Sequence, residues 1–219
     1  MSRFLLILAA LLLASSAASA DTVYNNASKV NATFGLFGPY AATTLGETFS
    51  APVTDTTLSS FSLFLNASDS SGQLEGYVGT WTGSAAGTLL YTSAPVTVTG
   101  ANQEFTFDTG GLDLTAGGDY VAFISVSGAG YSSYSGFADM PAVAPGGNIP
   151  GGGIVYINNG GSTSGFTTAQ WLDFGSGADI ELIADFSGGS AATPEPGSLL
   201  LFGTGLVGLA GALRRKSSR

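Results

Sequence analysis

Alternating apolar and polar residues recur in short stretches along the middle of the chain. Phe61, Leu63 and Leu65, for example, are separated by Ser62 and Phe64. A period of two places every second side chain on the same face, which is typical of a β-strand with one buried face. Similar alternation, or short runs rich in aromatic and branched residues, predicts further strands at residues 46–50, 74–81, 89–91, 96–99, 120–126, 154–158 and 180–186 and around Phe105 and Phe107.

Clusters of turn-forming residues separate these predicted strands. They are Ser70-Ser71-Gly72, Gly110-Gly111, Ala116-Gly117-Gly118 and Asn159-Gly160-Gly161. Residues 141–153 contain three prolines and five glycines without an alternating apolar set, so we expect a long surface loop there. Many short strands at this spacing, with little helical periodicity, predict an all-β fold built as a single β-sandwich.

The first 20 residues have a different pattern. Arg3 is followed by an apolar stretch at residues 4–14, and the small residues Ala18 and Ala20 flank Ser19. This order is typical of a signal peptide that is cleaved before Asp21. An uncleaved membrane anchor is the alternative, and the run of small residues before the cleavage site argues against it.

The other end of the chain combines a Pro-Glu-Pro triplet, an uncharged apolar stretch and a basic cluster. In order these are Pro194, Glu195 and Pro196, then residues 197–213, then Arg214, Arg215 and Lys216. Proline fixes φ and lacks an N–H, so the triplet predicts an extended segment that a protease can reach. The apolar stretch predicts a single hydrophobic helix of about 25 Å, near the short limit for crossing a bilayer. The basic cluster then acts as a stop-transfer signal on the cytoplasmic side.

This tail, from Pro194 to about Lys216, closely resembles the PEP-CTERM sorting signal of exported proteins in Gram-negative bacteria. The resemblance implies that an exosortase, a membrane-embedded protease, recognises the tail after export and cleaves at or near the triplet. The inner membrane would then hold the chain only transiently, with the domain on the periplasmic side, before it reaches the cell surface or the medium. A plain single-span anchor is the alternative reading, and it also places the domain outside the inner membrane.

These features divide the chain into four parts. They are a signal peptide at residues 1–20, a β-sandwich domain at residues 21–187, a flexible tether of small residues at 188–193, and the sorting signal with its hydrophobic helix at 194–219. The domain itself resembles the jelly-roll-type domains carried by PEP-CTERM proteins. The stretches behind this resemblance are residues 45–49, 58–65, 112–123 and 179–186. It implies a jelly-roll-like sandwich.

Charge is distributed very unevenly. Fourteen of the fifteen acidic residues lie between Asp21 and Thr193, where Lys29 is the one basic residue. A surface this acidic repels phosphate backbones, so we expect no nucleic-acid partner. An acidic surface of this kind is typical of a soluble extracellular domain. The chain has no cysteine, so its stability cannot come from disulfides.

The candidate chemistry is limited because the sequence has neither histidine nor cysteine. Histidine-dependent triads, cysteine nucleophiles and soft-metal sites are therefore excluded. Two carboxylates can hydrolyse a glycosidic bond, and the candidates by type are Glu47, Glu75, Glu104 and Glu181. Their spacing singles out no pair, and we predict that the protein is not an enzyme.

Two binding hypotheses remain open. Asp108, Asp113 and Asp119 lie in a turn-rich stretch and offer the hard oxygen ligands that Ca²⁺ takes, although no cofactor is otherwise expected. Aromatic side chains could stack on sugar rings. The candidates are Trp81, Trp171, Tyr77, Tyr131, Tyr134 and Tyr156, with Tyr131 and Tyr134 expected to be the most exposed.

Together these observations predict an exported, non-enzymatic protein of the cell envelope or extracellular matrix. The predicted partners are an exosortase, the export machinery and, transiently, the inner membrane, with a structural role associated with exopolysaccharide. A lectin-like module with a defined sugar site is the alternative function, and a secreted glycan-active enzyme is a third.

Overall fold

Strands make up most of the folded part of the chain. The computed structural model describes residues 21–68, 70–174 and 177–188, and residues 21–188 form one compact unit. The strands are β1 (Thr22–Asn25), β2 (Ala32–Phe37), β3 (Thr44–Ser50), β4 (Thr57–Leu65), β5 (Gly72–Trp81), β6 (Ala86–Thr92), β7 (Val96–Val98), β8 (Gln103–Asp113), β9 (Asp119–Ser125), β10 (Ala138–Val143), β11 (Gly153–Ile157), β12 (Leu172–Asp173), β13 (Asp179–Ile180) and β14 (Leu182–Ser187). One helical turn, α1 (Gly165–Thr168), and two short 3-10 turns, Ala27–Lys29 and Gly128–Gly130, accompany them.

The strands form two principal sheets and one small sheet, all with antiparallel pairing between neighbours. The front sheet has the order β1-β14-β4-β8. The back sheet has the order β12-β11-β3-β9-β5-β6, and β7 pairs with the start of β5. The small sheet has the order β13-β10-β2. This arrangement confirms the all-β prediction and is consistent with a jelly-roll-like sandwich.

Apolar side chains from the front and back sheets form the main core. Phe61 of β4, Phe49 of β3 and Ile124 of β9 are fully buried in it. The rings of Phe49 and Phe186 lie 5.9 Å apart, which joins β3 of the back sheet to β14 of the front sheet. Burying one such side chain contributes about 1.5–3 kcal/mol. In a chain without cysteine, this core is the main source of stability.

The back sheet is buried on its outer face as well. Phe166 of α1 packs edge-on against Tyr77 and Phe123, with ring centroids 5.0 and 5.1 Å apart. Trp171 completes this outer cluster, and its indole N–H donates a hydrogen bond to the Phe166 carbonyl at 2.9 Å. Burial on both faces explains why β9 is a nearly continuous apolar run and not an alternating one.

Several sequence predictions differ from the structure. Gly110 and Gly111, expected to form a turn, lie inside β8 with φ of +69° and +86°. The pairing with β4 shifts register between Leu58 and Ser60 beside them, so the two glycines form a bulge and not a chain reversal. The predicted strands also omit β1, β2, β10 and β12, and α1 was not predicted; β1, β12 and α1 have at most four residues each.

The loop expected at residues 141–153 is shorter than predicted. Strand β10 continues to Val143, and Pro141 within it pairs with Thr33 and accepts a hydrogen bond from the Glu181 N–H at 2.7 Å. The remaining connection, residues 144–152, is called the β10–β11 loop below. Proline can occupy a strand here because only its carbonyl is needed for pairing.

The predicted signal peptide, tether and C-terminal hydrophobic helix lie outside the described residues. Within the described ranges, no helix is both long enough and apolar enough to cross a membrane.

Candidate functional site

The two tyrosines expected to be exposed have different environments. Tyr131 is 37% exposed and its ring lies against Gly161, where a Cβ would come within 3.1 Å of it. Tyr134 is only 5% exposed, so the expectation of an open tyrosine is wrong at this position. Its ring packs edge-on against Phe37 at 5.8 Å, and its hydroxyl shares a hydrogen bond with the Ser70 hydroxyl at 3.0 Å. Burial raises the pKa of Tyr134, and the bond to Ser70 opposes the rise.

The two tryptophans come together as part of the outer cluster. Their rings meet edge to face at 5.8 Å, with Trp171 buried and Trp81 partly buried. Tyr77 is buried beside them, and its hydroxyl donates to the Glu75 carboxylate at 2.8 Å. Burial raises the pKa of Tyr77, and the hydrogen bond to Glu75 and the charge of Glu75 raise it further. These aromatic side chains therefore cover the back sheet and do not form an open stacking platform.

A groove of about 560 Å³ lies over the outer cluster. Its lining includes the Glu75 carboxylate and the hydroxyl-bearing residues Thr92, Thr163, Ser164 and Thr167. Glu75 is the one carboxylate among the residues that line it. A two-carboxylate glycosidase mechanism would need a second acid there.

A second groove, of about 460 Å³, is lined by aromatic rings and is called the aromatic groove below. The ring of Phe34 lies 4.5 Å from that of Phe174 and 5.6 Å from that of Tyr156. Phe174 is 53% exposed, so its ring is open to a ligand. Near the groove, Oδ1 of Asp139 lies 2.9 Å from the position that a Cβ on Gly35 would take. Sequence reasoning singled out Tyr156 but neither phenylalanine, because only tryptophans and tyrosines were considered as stacking residues.

The three acids considered for calcium each have a separate hydrogen-bond donor. Asp108 accepts from the Gly110 N–H at 2.8 Å, Asp113 from the Thr57 hydroxyl at 2.9 Å, and Asp119 from the Ser50 hydroxyl at 2.8 Å. All three side chains are exposed. Among the residues that the structure describes, no group of three or more acidic residues is arranged to hold a metal ion. A calcium site at these three residues stays a prediction without support from the geometry.

Two of the four candidate glutamates lie near a second carboxylate. Glu181 is half-buried, and burial followed by the charge of Glu104 raises its pKa. Glu47 is fully buried and lies beside Asp179, which is 2% exposed. Burial, followed by the neighbouring charge of Asp179, raises the pKa of Glu47 well above its ordinary range, while the amides of Ile180 and Gly153 oppose the rise. The pairing of Glu47 with Asp179 has no sequence signal, because the two residues are distant in the chain.

The sorting residues lie outside the described part of the chain. These are the triplet Pro194, Glu195 and Pro196, the basic residues Arg214, Arg215 and Lys216, and the signal-cleavage residues Ala18 and Ala20. Comparison with protein families finds the PEP-CTERM protein-sorting motif at residues 192–216. The chain carries a PEP-CTERM sorting motif. This match confirms the resemblance of the tail, and the motif implies an exported protein that an exosortase recognises and that a membrane holds transiently before processing.

Comparison with solved structures gives a distant similarity for the chain. It is to the crystal structure of the cysteine protease and lectin-like domains of Cwp84, a surface layer associated protein of Clostridium difficile, at 10% sequence identity and a TM-score of 0.45. The match covers 71% of this chain and 36% of that chain, so this chain spans about a third of the matched structure. This similarity is too distant to bear on function. No curated protein sequence matches the chain.

Proposed function

We propose that this chain is an exported, non-enzymatic protein of a Gram-negative cell envelope or extracellular matrix. An exosortase cleaves it at or near Pro194, Glu195 and Pro196, and the released domain has a structural role associated with exopolysaccharide. The observation that carries the proposal is the PEP-CTERM motif at residues 192–216. The last strand among the described residues ends at Ser187, so the motif begins five residues beyond it in the sequence.

The residues of the motif suit this role physically. Two prolines flanking Glu195 disfavour helix and keep that segment extended, which is the conformation that proteases bind. Residues 197–213 carry no charge and would hold the substrate in the plane of the membrane, where a membrane-embedded protease works. Holding enzyme and substrate in one plane raises their effective concentration and supplies part of the selectivity. Arg214 and Arg215 would stop further translocation.

The domain's own composition supports a structural role. Its fourteen acidic residues and single lysine give a hydrated, negatively charged surface, and the chain has no histidine or cysteine for the commonest kinds of catalysis. Among the residues that the structure describes, Glu75 is the one acid that lines either groove, so these residues do not give either groove the pair of carboxylates that a glycan-active enzyme would use.

The processing step can be tested with two sets of variants in the native host. One replaces Pro194, Glu195 and Pro196 by alanine, and the other replaces Arg214 and Arg215 by alanine. We expect both to accumulate as chains that retain the C-terminal segment, as measured by intact mass. Lys29→Ala, which changes an exposed basic residue of the domain, is the matched control and should be processed normally. A normal mature mass in both sets of variants would refute exosortase processing.

The aromatic groove favours one second candidate, a lectin-like function. Sugar rings stack on open aromatic faces while their hydroxyls bond to nearby polar groups. Phe174 offers such a face, with Thr33 lining the same groove and the Asp139 carboxylate beside Gly35. The occupant we infer is a pyranose ring of the host's own exopolysaccharide.

This second candidate can be tested by a pull-down with the host's exopolysaccharide. Phe174→Ala should reduce retention by about 5- to 150-fold, because a nucleic-acid base stacked on one aromatic ring contributes about 1–3 kcal/mol and we expect a similar contribution from a sugar ring. Leu172→Ala is the matched control, since Leu172 is equally exposed and two residues away but does not line the groove. Equal retention of the two variants, or no retention of the wild type, would exclude the aromatic groove as a sugar site.

A further inference from the structure

Two acids, Glu47 and Asp179, are buried together without a cationic side chain to balance them. Glu47 shares the inner face of β3 with the core residues Leu45 and Phe49, and Asp179 begins β13. Glu47 is 0% exposed and Asp179 is 2% exposed. Lys29, the one basic residue in the described part of the chain, is on the surface. Two carboxylates in an apolar interior cannot both remain ionised without a positive charge beside them.

The hydrogen bonds of this pair indicate where a proton is needed. Oε2 of Glu47 accepts from the Ile180 N–H at 2.9 Å, and Oδ2 of Asp179 accepts from the Ile149 N–H at 3.1 Å. Oε1 of Glu47 is buried and meets no N–H or O–H donor among the described residues. The side chains of Glu47 and Asp179 are nevertheless hydrogen-bonded to each other. Ionised carboxylates only accept hydrogen bonds, so this bond requires a proton on one of the two acids.

The β10–β11 loop packs directly on the two acids. A Cβ on Gly147 would overlap the Asp179 carboxylate, and a Cβ on Gly152 would come within 2.7 Å of Asp179 Oδ1 and 2.9 Å of Glu47 Oε1. The two glycines therefore leave the space that the carboxyl groups occupy. Because the loop backbone covers them, the acids meet β3, β13 and the loop at one buried contact.

The other titratable groups on the surrounding strands have different neighbours. They are Tyr24 of β1, Asp119 and Tyr120 of β9, Asp139 of β10, Tyr156 of β11, Asp185 of β14 and Glu181, which follows β13. The β10–β11 loop has no titratable side chain. Among the described residues, Asp179 is the one charged group that affects the pKa of Glu47. The protonation of Glu47 therefore depends on its burial and on Asp179.

We propose that Glu47 keeps its proton at neutral pH and donates it in a hydrogen bond to the Asp179 carboxylate, so that the contact between β3, β13 and the β10–β11 loop weakens as pH rises. A neutral Glu47 leaves a single buried charge, which the Ile149 N–H and the Glu47 proton stabilise. Other hydrogen bonds, such as that from the Ser50 N–H to the Pro150 carbonyl at 2.6 Å, also hold the loop. The proposal does not depend on the sorting function.

This proton should make the folded domain less stable as pH rises. Burial, followed by the charge of Asp179, raises the pKa of Glu47 well above its ordinary value of 4.5 in the folded state. The unfolded chain loses the same proton in the ordinary carboxyl range. The stabilising contribution is therefore fully present in acid and is lost as pH rises from that range through the folded pKa of Glu47. Where only the folded state holds the proton, each pH unit changes the folding equilibrium constant by about tenfold.

The test measures urea unfolding of the full chain, purified in detergent, between about pH 5 and pH 9. Glu47→Gln keeps the size of the side chain and its acceptor for the Ile180 N–H, and it offers Asp179 an amide N–H in place of the proton. For each pH unit, the folding equilibrium constant of the wild type should fall by about tenfold relative to that of Glu47→Gln. Equal pH slopes for the two proteins would overturn the proposal, because the folded state would then hold no additional proton at Glu47.

The matched control is Asp113→Asn, which removes one negative charge at an exposed position of β8. It should keep the pH slope of the wild type. If Asp113→Asn loses as much of the slope as Glu47→Gln does, repulsion among the many acids explains the pH dependence and the proposal is wrong.

A second measurement needs no variant that folds. Carboxyl ¹³C NMR of the wild type, labelled at glutamate, should show Glu47 as the protonated acid at neutral pH. An ionised Glu47 at neutral pH would overturn the proposal whatever the unfolding experiments give.

Discussion

The folded domain, residues 21–188, and the C-terminal segment, residues 192–219, carry opposite charge and opposite apolar patterns. The domain has fourteen acidic residues and one lysine, while the segment has four basic residues and Glu195. Apolar residues alternate with polar ones in much of the domain, whereas residues 197–213 of the segment form one uncharged stretch. The first pattern builds a sandwich with a core, and the second is typical of a membrane span.

Because of this contrast, we expect the domain to determine the stability of the protein and the segment to determine where the protein is sent. The sorting motif can be recognised from sequence because its triplet, span and basic cluster act in linear order. Other features of the domain depend on side chains that only the fold brings together, such as Phe34 and Phe174 or Glu47 and Asp179. Changes in the segment should therefore alter processing, and changes in the domain should alter stability or binding.

The largest expected effect comes from moving the segment. Residues 188–219 fused to an unrelated exported protein of the same host should cause that protein to be processed almost completely, because the recognition elements lie within the motif. Intact mass of the fusion measures the outcome. The same fusion with alanine in place of Pro194, Glu195 and Pro196 is the control and should remain uncleaved. A wild-type fusion that keeps its C-terminal segment would mean that the domain contributes to recognition.

A core substitution should destabilise the domain strongly and leave processing intact. Phe61 is buried, with its ring stacked on Phe107 at 4.9 Å. Phe61→Ala should lower the free energy of unfolding by about 3–5 kcal/mol, because it removes buried apolar surface and leaves a cavity. Urea denaturation measures this loss. Val53→Ala, at an exposed position, should change stability by less than about 0.5 kcal/mol. Similar losses for the two variants would contradict the core described above.

A smaller effect is expected at Trp171, which the sequence suggested as a sugar-binding residue. Trp171→Phe keeps an aromatic ring but removes the N–H that bonds to the Phe166 carbonyl. Leaving that carbonyl unpaired should cost about 1–3 kcal/mol in urea denaturation, with retention on exopolysaccharide unchanged. Tyr131→Phe, which alters an exposed hydroxyl, should be nearly neutral in stability. Reduced sugar retention in a Trp171→Phe protein of wild-type stability would restore Trp171 as a ligand-binding residue.

The smallest effect concerns Glu181 and its pH dependence. Burial and then Glu104 raise the pKa of Glu181 in the folded state. A carboxyl group with a raised folded pKa is favourable while protonated, so its contribution is present at low pH and is lost as pH rises through that pKa. Glu104→Gln removes one cause of the rise and should lower the pKa of Glu181 toward its ordinary value. NMR titration of the Glu181 carboxyl measures this directly.

The matched control for that titration is Asp119→Asn, which removes an exposed acid on a different strand. It should leave the Glu181 titration unchanged. At neutral pH we expect Glu104→Gln to stabilise the domain by less than about 1 kcal/mol, because both side chains are partly solvated and water screens their repulsion. A pKa of Glu181 that does not move in Glu104→Gln would show that burial alone causes the rise.

Alternation and motif order made much of the molecule predictable from sequence. Phe61, Leu63 and Leu65 define the buried face of β4, and β9 and β14 lie where aromatic and branched residues cluster. These elements were predictable because one buried face imposes a period of two, or because burial on both faces selects a continuous apolar run. The sorting motif was predictable because the residues that define it follow one another in the sequence.

The remaining features depend on contacts between distant residues. The proline at position 141 favoured the prediction of a loop, but Pro141 lies in β10 because this strand pairs with β2. Tyr134 lies in a Gly- and Ser-rich stretch that suggests exposure, and it is buried because it packs against Phe37. Glu47 falls within a predicted strand, but nothing local in the sequence predicts its proximity to Asp179. Composition gives the residue types in the chain, whereas the burial of each side chain depends on which other side chains the fold brings into contact with it.

The most direct test of sorting is intact-mass and C-terminal peptide analysis of the protein from its native host, comparing the membrane fraction with the medium. Exosortase processing predicts a mature chain that begins at Asp21, ends near residues 194–197 and lies outside the inner membrane. A chain that retains Arg219 and remains in the membrane fraction would contradict it and identify an ordinary anchored ectodomain.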